Sequence, residues 1–323
     1  MRAIRISSYG GPEVLRPDSV ELPQPGAAEV RVRITVAGVN FIDVYQRTGR
    51  YKGALPFTPG MEGAGVVEEA GAEVLDFAPG DRVAWASVQG SYAEEALIPG
   101  SRLVRVPDEI DDRQAAAAML QGMTAHYLAH STYPIRRGDC VLIHAAAGGV
   151  GLLLVQMAKR LGGRVFGTVS TEEKAELARE AGADEVILYT RDNFREEVLR
   201  LTDGEGVQAV YDSVGKVTFH DSLDSLRRLG TMVLFGASSG AVDPIDPMIL
   251  NQKGSLYLTR PALHHYIHDR AELLDRAADV FGWIADGSLK LRIERTYALE
   301  DAADAHRDLE GRRTTGKLLL ITG

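Results

Sequence analysis

One run constrains this chain more than any other: His144-Ala145-Ala146-Ala147-Gly148-Gly149-Val150-Gly151. It follows the apolar, strand-like residues 141–145 and opens the apolar, helix-like residues 150–161. Set against the pattern G-x-G-x-x-G, it puts Ala146, Gly148 and Gly151 in the three key places. The middle glycine lets backbone approach a pyrophosphate. The helix start at Gly149 and Val150 supplies N–H donors and a partial positive charge. Gly151 permits close packing of helix on strand. A glycine pattern alone is weak and also fits a structural turn; the strand–turn–helix context makes it a dinucleotide-binding expectation. The same glycines break the uncharged stretch 140–158, so it does not read as a membrane span.

The rest of the chain agrees with that anchor. Before about Gly122 the sequence is β-rich: residues 30–36 alternate apolar and polar, and short strand signals follow at 65–69, 82–85, 92–98 and 103–106. An alanine-rich helix begins in 113–119. Strand-like and helix-like segments then alternate: 141–145, 150–161, 165–169, 172–181, 185–188, 209–212 and 232–235. That alternation predicts an α/β fold with a doubly wound parallel sheet. The tail from about Ala262 holds a helix over 271–285 and a last strand over 317–321. There is no internal repeat and no low-complexity run.

The tip of the second strand tests the cofactor. An NAD-type site places an acid there to grip the ribose 2′-hydroxyl. This strand ends Thr168-Val169-Ser170, with Lys174 one turn into the next helix, which suits a 2′-phosphate and predicts NADPH. Ser170 also has a plain role as that helix's cap, with Glu173 at the capping-box position. Glu172 and Glu173 oppose a phosphate by charge.

Composition removes other classes. A net charge of −9 excludes generic nucleic-acid binding and docking on anionic membrane. The single cysteine, Cys140, forms no internal disulfide or thiolate zinc site and reads as a buried core residue. Together with an opening Met1-Arg2-Ala3-Ile4-Arg5 that leads into a strand rather than a signal peptide, it predicts a reducing, cytoplasmic setting. His264, His265 and His268 cluster without an acid or thiol at ligand spacing, so a solvated segment is expected and no metal site.

Six segments, the glycine run among them, carry a resemblance. They are Gly10-Gly11-Pro12-Glu13-Val14-Leu15, Gly38-Val39-Asn40-Phe41-Ile42-Asp43, Pro59-Gly60-Met61-Glu62-Gly63-Ala64-Gly65, Tyr211-Asp212-Ser213-Val214-Gly215, Asn251-Gln252-Lys253-Gly254-Ser255-Leu256 and the glycine run. With these the chain resembles, end to end, the zinc-free quinone oxidoreductases, the zeta-crystallin group of the medium-chain dehydrogenase/reductase family, and within it the bacterial NADPH:quinone reductases. The resemblance implies a GroES-like catalytic domain (residues 1–122), a Rossmann domain (123–261) and a return to the catalytic domain (262–323). Where zinc-dependent relatives carry a cysteine and a histidine, this chain has Asn40 and Met61, and their four-cysteine lobe after Gly80-Asp81-Arg82-Val83 is missing. Without a Lewis acid, alcohol oxidation is disfavoured, whereas hydride transfer to an electrophilic quinone or activated alkene needs no metal.

The resemblance also assigns residues. Phe41, Asp43 and Tyr45 fall near the nicotinamide, and Thr124 and Tyr127 at the domain junction; Gly149, Val150, Ser170, Lys174, Tyr189, Ser213, Phe235, Gly236, Ser238 and Arg312 complete the cofactor contacts. Asn40, Asp43, Tyr45 and Tyr51 are the candidates for the substrate pocket, although Asp43 also fits helix capping and Phe41 and Tyr127 fit a core. The leading function is metal-free hydride transfer from NADPH to a quinone. The alternatives are reduction of an α,β-unsaturated carbonyl double bond and, outside enzymes, an NADPH-binding structural or RNA-binding crystallin-like protein. A homodimer through residues 256–259 is implied as well.

Overall fold

The computed structural model describes residues 1–322. The chain divides into two compact units, one made of Met1–Met123 with the chain from Tyr266 onward, the other of Thr124–His265.

The first unit opens with β1 (Arg2–Arg5) antiparallel to β2 (Arg16–Ser19). There follow β3 (Glu29–Val39), α1 (Phe41–Arg47), β4 (Glu62–Ala70), β5 (Arg82–Ala86), β6 (Glu95–Pro99) and β7 (Val104–Arg105). Along β3 the alternation does what it predicts: Val30, Val32, Ile34 and Val36 are buried while Arg33 is exposed. Beyond Val36 every residue of β3 is buried, so the strand's end and Asn40 enter the interior. Helix α2 (Asp112–Tyr127) carries four consecutive buried alanines, Ala115–Ala118, and its last turn from Thr124 belongs to the second unit.

The second unit alternates strand and helix as expected: β8 (Cys140–Ile143), α3 (Gly149–Arg160), β9 (Arg164–Val169), α4 (Glu172–Glu180), β10 (Glu185–Leu188), α5 (Phe194–Leu201), β11 (Val207–Asp212), α6 (Phe219–Asp224), β12 (Leu226–Leu234), α7 (Met248–Gln252), β13 (Tyr257–Thr259) and α8 (Leu263–Tyr266). All six strands run parallel in the order β10-β9-β8-β11-β12-β13. This is the doubly wound Rossmann arrangement, and the order reverses between β8 and β11. Strands buried on both faces read as continuous apolar runs, and Leu142, Phe166, Val210 and Met232 share one core.

The chain then returns to the first unit through α9 (Arg270–Ala285), β14 (Ile293–Ala298), α10 (Ala302–Glu310) and β15 (Lys317–Ile321). Strand β15 pairs antiparallel with β3, Leu318 opposite Val39 and Ile321 opposite Val36. That register carries Lys317 to the level of Asn40. The sheet order is β14-β15-β3-β4-β5-β7, with β6 also on β3.

Three local expectations are corrected. Tyr92 lies outside β6, which begins at Glu95, because its backbone bonds to Pro59 O (3.0 Å) and Ile4 N–H (2.8 Å) rather than to β3. Strand β8 stops at Ile143, because Ala145 adopts a left-handed backbone with φ +51°. Cys140 is half-buried rather than core, being the first residue of β8; partial burial raises its thiol pKa, away from the reactive thiolate.

Candidate active site

The candidate residues divide into two sets, one on each unit. In the second unit the glycine run forms a tight turn: Gly148 N–H donates to Ala145 O (2.8 Å) and Ala146 N–H to Thr168 O (3.1 Å). Helix α3 starts on Gly148 with no side-chain cap, so its first-turn N–H groups are left for an outside acceptor. A Cβ on Gly151 would stand 2.2 Å from Ala145 O, so any side chain there would lift the turn off the helix. These are the features a pyrophosphate cradle requires.

At the carboxyl end of β9 the expected cap moves by one residue. Thr171, not Ser170, is the N-cap of α4: its extended backbone sets Thr171 Oγ1 to accept Lys174 N–H (3.4 Å). Ser170 stays at the strand tip, where its carbonyl accepts from Thr190 Oγ1 (3.0 Å). Tyr189 is tied to the same tip by its N–H on Val169 O (3.2 Å) and exposes 43% of its surface. Glu172 pairs with Arg179 at 2.8 Å, and the Glu173 carboxyl is held low by its own backbone N–H and the Thr171 hydroxyl. Both acids thus have partners within α4, and both are exposed to screening.

The loops after β11 and β12 are bound to each other. Phe235 and Gly236 N–H groups donate to Asp212 O (2.8 and 3.2 Å), and Ser238 N–H to Ser213 O (3.0 Å). A Cβ on Gly236 would meet Ser213 O at 2.5 Å. Thr124 and Tyr127 are buried on the last turn of α2.

In the first unit, Asn40 and Asp43 form the capping box of α1. Asn40 N–H donates to Asp43 Oδ2 (2.8 Å). Phe41, Tyr45 and Tyr51 gather on and just after this helix: Tyr45 lies 6.2 Å from Phe41 and 5.6 Å, edge-on, from Tyr51, with the Arg50 guanidinium 4.8 Å over its ring. Arg312, with φ +54°, sits in the turn after α10.

Beneath α1 lies a buried network absent from the sequence expectations. Lys317 Nζ donates to Asn40 Oδ1 (2.9 Å) and to Glu62, with which it forms an ion pair 3% and 0% exposed. Asn40 Nδ2 donates to Glu62 Oε2 (2.9 Å) and Gly38 O (3.3 Å), and Leu120 N–H to Glu62 Oε1 (2.5 Å). Both donor directions of the Asn40 amide are therefore occupied inside the protein. Gly38 makes the room: a Cβ there would stand 2.7 Å from Lys317 Nζ.

The network continues through Asp43. Arg47 has only donors, so its Nη1 donates to His306 Nδ1 (3.5 Å); His306 Nε2–H then donates to Tyr92 Oη (3.1 Å), and Tyr92 O–H to Asp43 Oδ2 (3.1 Å). Arg47 is anchored in turn by Glu310 (2.8 Å). Burial, helped by Arg47, pushes His306 down to about 3 and keeps it neutral. Burial pushes the Asp43 carboxyl up to about 7, against the Asn40 N–H, Lys317 and the Tyr92 hydroxyl, with Glu62 adding to the rise. Asp43 Oδ1 is buried without a hydrogen-bond partner. One signal was available for Glu62: a charged residue at the head of the otherwise small and apolar Gly63-Ala64-Gly65-Val66-Val67.

Known proteins match this architecture along nearly the whole chain. Residues 26–108 match the alcohol dehydrogenase GroES-like domain family and 149–278 the zinc-binding dehydrogenase family. A quinone oxidoreductase of Pseudomonas aeruginosa is 48% identical over 322 residues, 99% of each chain. A 2-haloacrylate reductase of a Burkholderia species is 44% identical, covering 98% of this chain and 97% of its own. The crystal structure of the Escherichia coli quinone oxidoreductase complexed with NADPH superimposes with a TM-score of 0.98 at 43% identity, covering 99% of this chain and 100% of that one. The chain belongs to the medium-chain dehydrogenase/reductase family, in its quinone oxidoreductase group.

Proposed function

We propose that this protein is an NADPH-dependent oxidoreductase that delivers hydride to a quinone without a metal. The carrying observation is the uncapped start of α3 over a turn that only glycine at position 151 can seat, beside a strand tip bearing Ser170 and the first turn of α4 bearing Lys174. Gly148, Gly149, Val150 and Gly151 would hold the pyrophosphate, and Ser170, Lys174 and Tyr189 the 2′-phosphorylated ribose. Ser213, Phe235, Gly236, Ser238, Thr124 and Tyr127 keep their cofactor assignments, as do Phe41, Asp43, Tyr45 and Arg312 in the first unit. NADPH, when bound, supplies the hydride; the acceptor's second hydrogen arrives as a proton. Phe41, Tyr45 and Tyr51 offer aromatic faces suited to a planar acceptor, and Asn40 orients α1 from below. The 2-haloacrylate reductase among the relatives supports a second reading, reduction of an activated carbon–carbon double bond. Steady-state turnover with NADPH and 1,4-benzoquinone, set beside an enone, decides between them. Turnover of neither would overturn both.

Cofactor choice gives a sharper test. A charge-assisted contact contributes roughly 1.5–3 kcal/mol, or about ten- to a hundredfold in kcat/KM. Lys174→Ala is therefore expected to erase most of the preference for NADPH while NADH kinetics barely move. Equal damage to both cofactors would make Lys174 structural.

Metal independence rests on the donor set. The Asn40 amide is held by Lys317 and Glu62, Met61 Sδ accepts the Gln46 amide (3.2 Å), and the buried Lys317 ammonium already pairs with the Glu62 carboxylate. The purified protein should contain less than a tenth of an equivalent of zinc by elemental analysis and keep its activity in a chelator. Stoichiometric zinc whose removal abolishes activity contradicts this. A cytoplasmic homodimer completes the proposal. Strand β13 is the open edge of its sheet, and Tyr257 exposes 62% of its surface there. Light scattering should give twice the 35.0 kDa chain mass; a single chain mass at micromolar concentration refutes the dimer.

A further inference from the structure

A second buried polar chain, confined to the second unit, crosses the sheet where its strand order reverses. His144 ends the segment after β8 and is 1% exposed. Its Nδ1 lies 2.8 Å from Thr168 Oγ1 on β9, and its Nε2 lies 2.9 Å from Ser222 Oγ on α6. Ser222 Oγ donates to Asp212 Oδ2 at the end of β11 (3.3 Å). Because that hydroxyl proton points at Asp212, Ser222 Oγ must accept from His144, which places the ring hydrogen on Nε2. Nδ1 then accepts from the Thr168 hydroxyl. Every donor in the chain runs one way, toward Asp212. The same carboxylate accepts Thr218 Oγ1 (2.7 Å) and the N–H groups of Val214 (2.6 Å) and Gly215 (2.9 Å), and so shapes the loop that begins at Ser213. Phe194 closes the other side edge-on at 4.7 Å. Burial lowers the His144 pKa although Asp212 opposes it, consistent with a neutral ring.

The position of this ring matters more than its bonds alone. The next residue, Ala145, carries the left-handed backbone from which the glycine turn departs, a conformation costly for any residue with a Cβ. His144 ties the chain just before that strained step to two neighbouring strands at once: by its ring to β9 and, through Ser222, toward Asp212 of β11, and by its N–H to Tyr211 O of β11 (3.0 Å). The three loops it connects start at Ala145, Ser170 and Ser213, each of which has cofactor assignments.

We propose that His144 is a positioning residue for the nicotinamide dinucleotide, holding the turn before α3, the β9 tip and the loop after β11 in one preformed arrangement. This rests on the NADPH assignment made above. It concerns the common body of the cofactor, not its 2′-phosphate, so loss of His144 weakens NADPH and NADH in the same proportion.

The experiment measures the dissociation constants of NADPH and NADH by nicotinamide fluorescence, with kcat and KM alongside, in wild type, His144→Leu, His144→Gln and Ser222→Ala. His144→Leu should raise both dissociation constants about tenfold or more with their ratio kept, and KM should follow while kcat changes far less. His144→Gln should recover to within about threefold of wild type, since its Nε2 can donate to Ser222. Ser222→Ala, which leaves the ring but breaks the link to Asp212, should shift both constants in the same direction as His144→Leu. It carries the test if the leucine variant fails to fold. Unchanged affinities in His144→Leu and Ser222→Ala overturn the proposal, as does equal impairment by Leu and Gln, which would make ring volume decisive. A wild type that binds neither cofactor, or prefers NADH, instead overturns the NADPH assignment.

Discussion

Replacing Lys317 by methionine is expected to destabilise the first unit by about 3–5 kcal/mol, the usual cost of removing one partner from a buried ion pair. The pair is almost wholly enclosed, at 3% and 0% exposure, so water cannot replace the lost ammonium. Glu62 would keep two donors, Asn40 Nδ2 and Leu120 N–H, but its charge would be uncompensated. Asn40 would lose the bond at Oδ1 that fixes its amide orientation. The double variant Glu62→Gln/Lys317→Met removes both charges and should regain much of the loss. Guanidinium denaturation of the three proteins measures it. A single variant within 1 kcal/mol of wild type would show that the pair contributes specificity of arrangement rather than stability.

The second large effect is a pH dependence centred on Asp43. Its folded value of about 7 lies above the ordinary 3.8, so the folded protein holds this proton more tightly than the unfolded chain does. Stability contributed by the protonated group is complete below about pH 4 and is lost as pH rises through about 7. The groups facing Asp43 are the Asn40 N–H, the Tyr92 hydroxyl, Lys317, Glu62 and, through His306, Arg47. His306 is neutral throughout this window, which leaves Asp43 as the titrating member. Asp43→Asn keeps an acceptor for Asn40 and Tyr92 and sets an uncharged amide where Oδ1 has no partner. Its stability relative to wild type should therefore improve between pH 5 and pH 8 by on the order of 2 kcal/mol. A gap that stays constant with pH, measured by urea midpoints, would place the Asp43 pKa near its unfolded value.

Much of the fold was legible because its signals are local. The alternation along 30–36, the apolar runs at 141–145 and 165–169 and the glycines at 148, 149 and 151 each act within a few residues, at the periods of strand, turn and helix. The junction between β9 and α4 was legible for the same reason, since the strand's end and the helix's start lie within a few residues of each other. Even there, one residue escaped. Ser170 and Thr171 are both competent caps by composition, and only the backbone of Thr171, at φ −138° and ψ 162°, decides between them.

What the sequence could not show are the residues that meet across the sheet. Lys317 reads as a polar residue heading an apolar strand, yet it stands 277 positions from Asn40 and 255 from Glu62, its partners. Tyr92 and His306 are 214 apart, and His144 and Ser222 are 78 apart. A lysine, a histidine or a serine has the same local preference whether it faces water or another side chain. Sequence alone determined the alternation of strand and helix around the glycine turn, which glycines must turn, and that a phosphate-bearing dinucleotide suits the turn. Tertiary structure decided, through the register of β15 on β3 and the order of β9, β8 and β11, which buried charges and hydroxyls come within 3 Å or so of each other. Register is set by packing of whole faces, and no short stretch of chain encodes it.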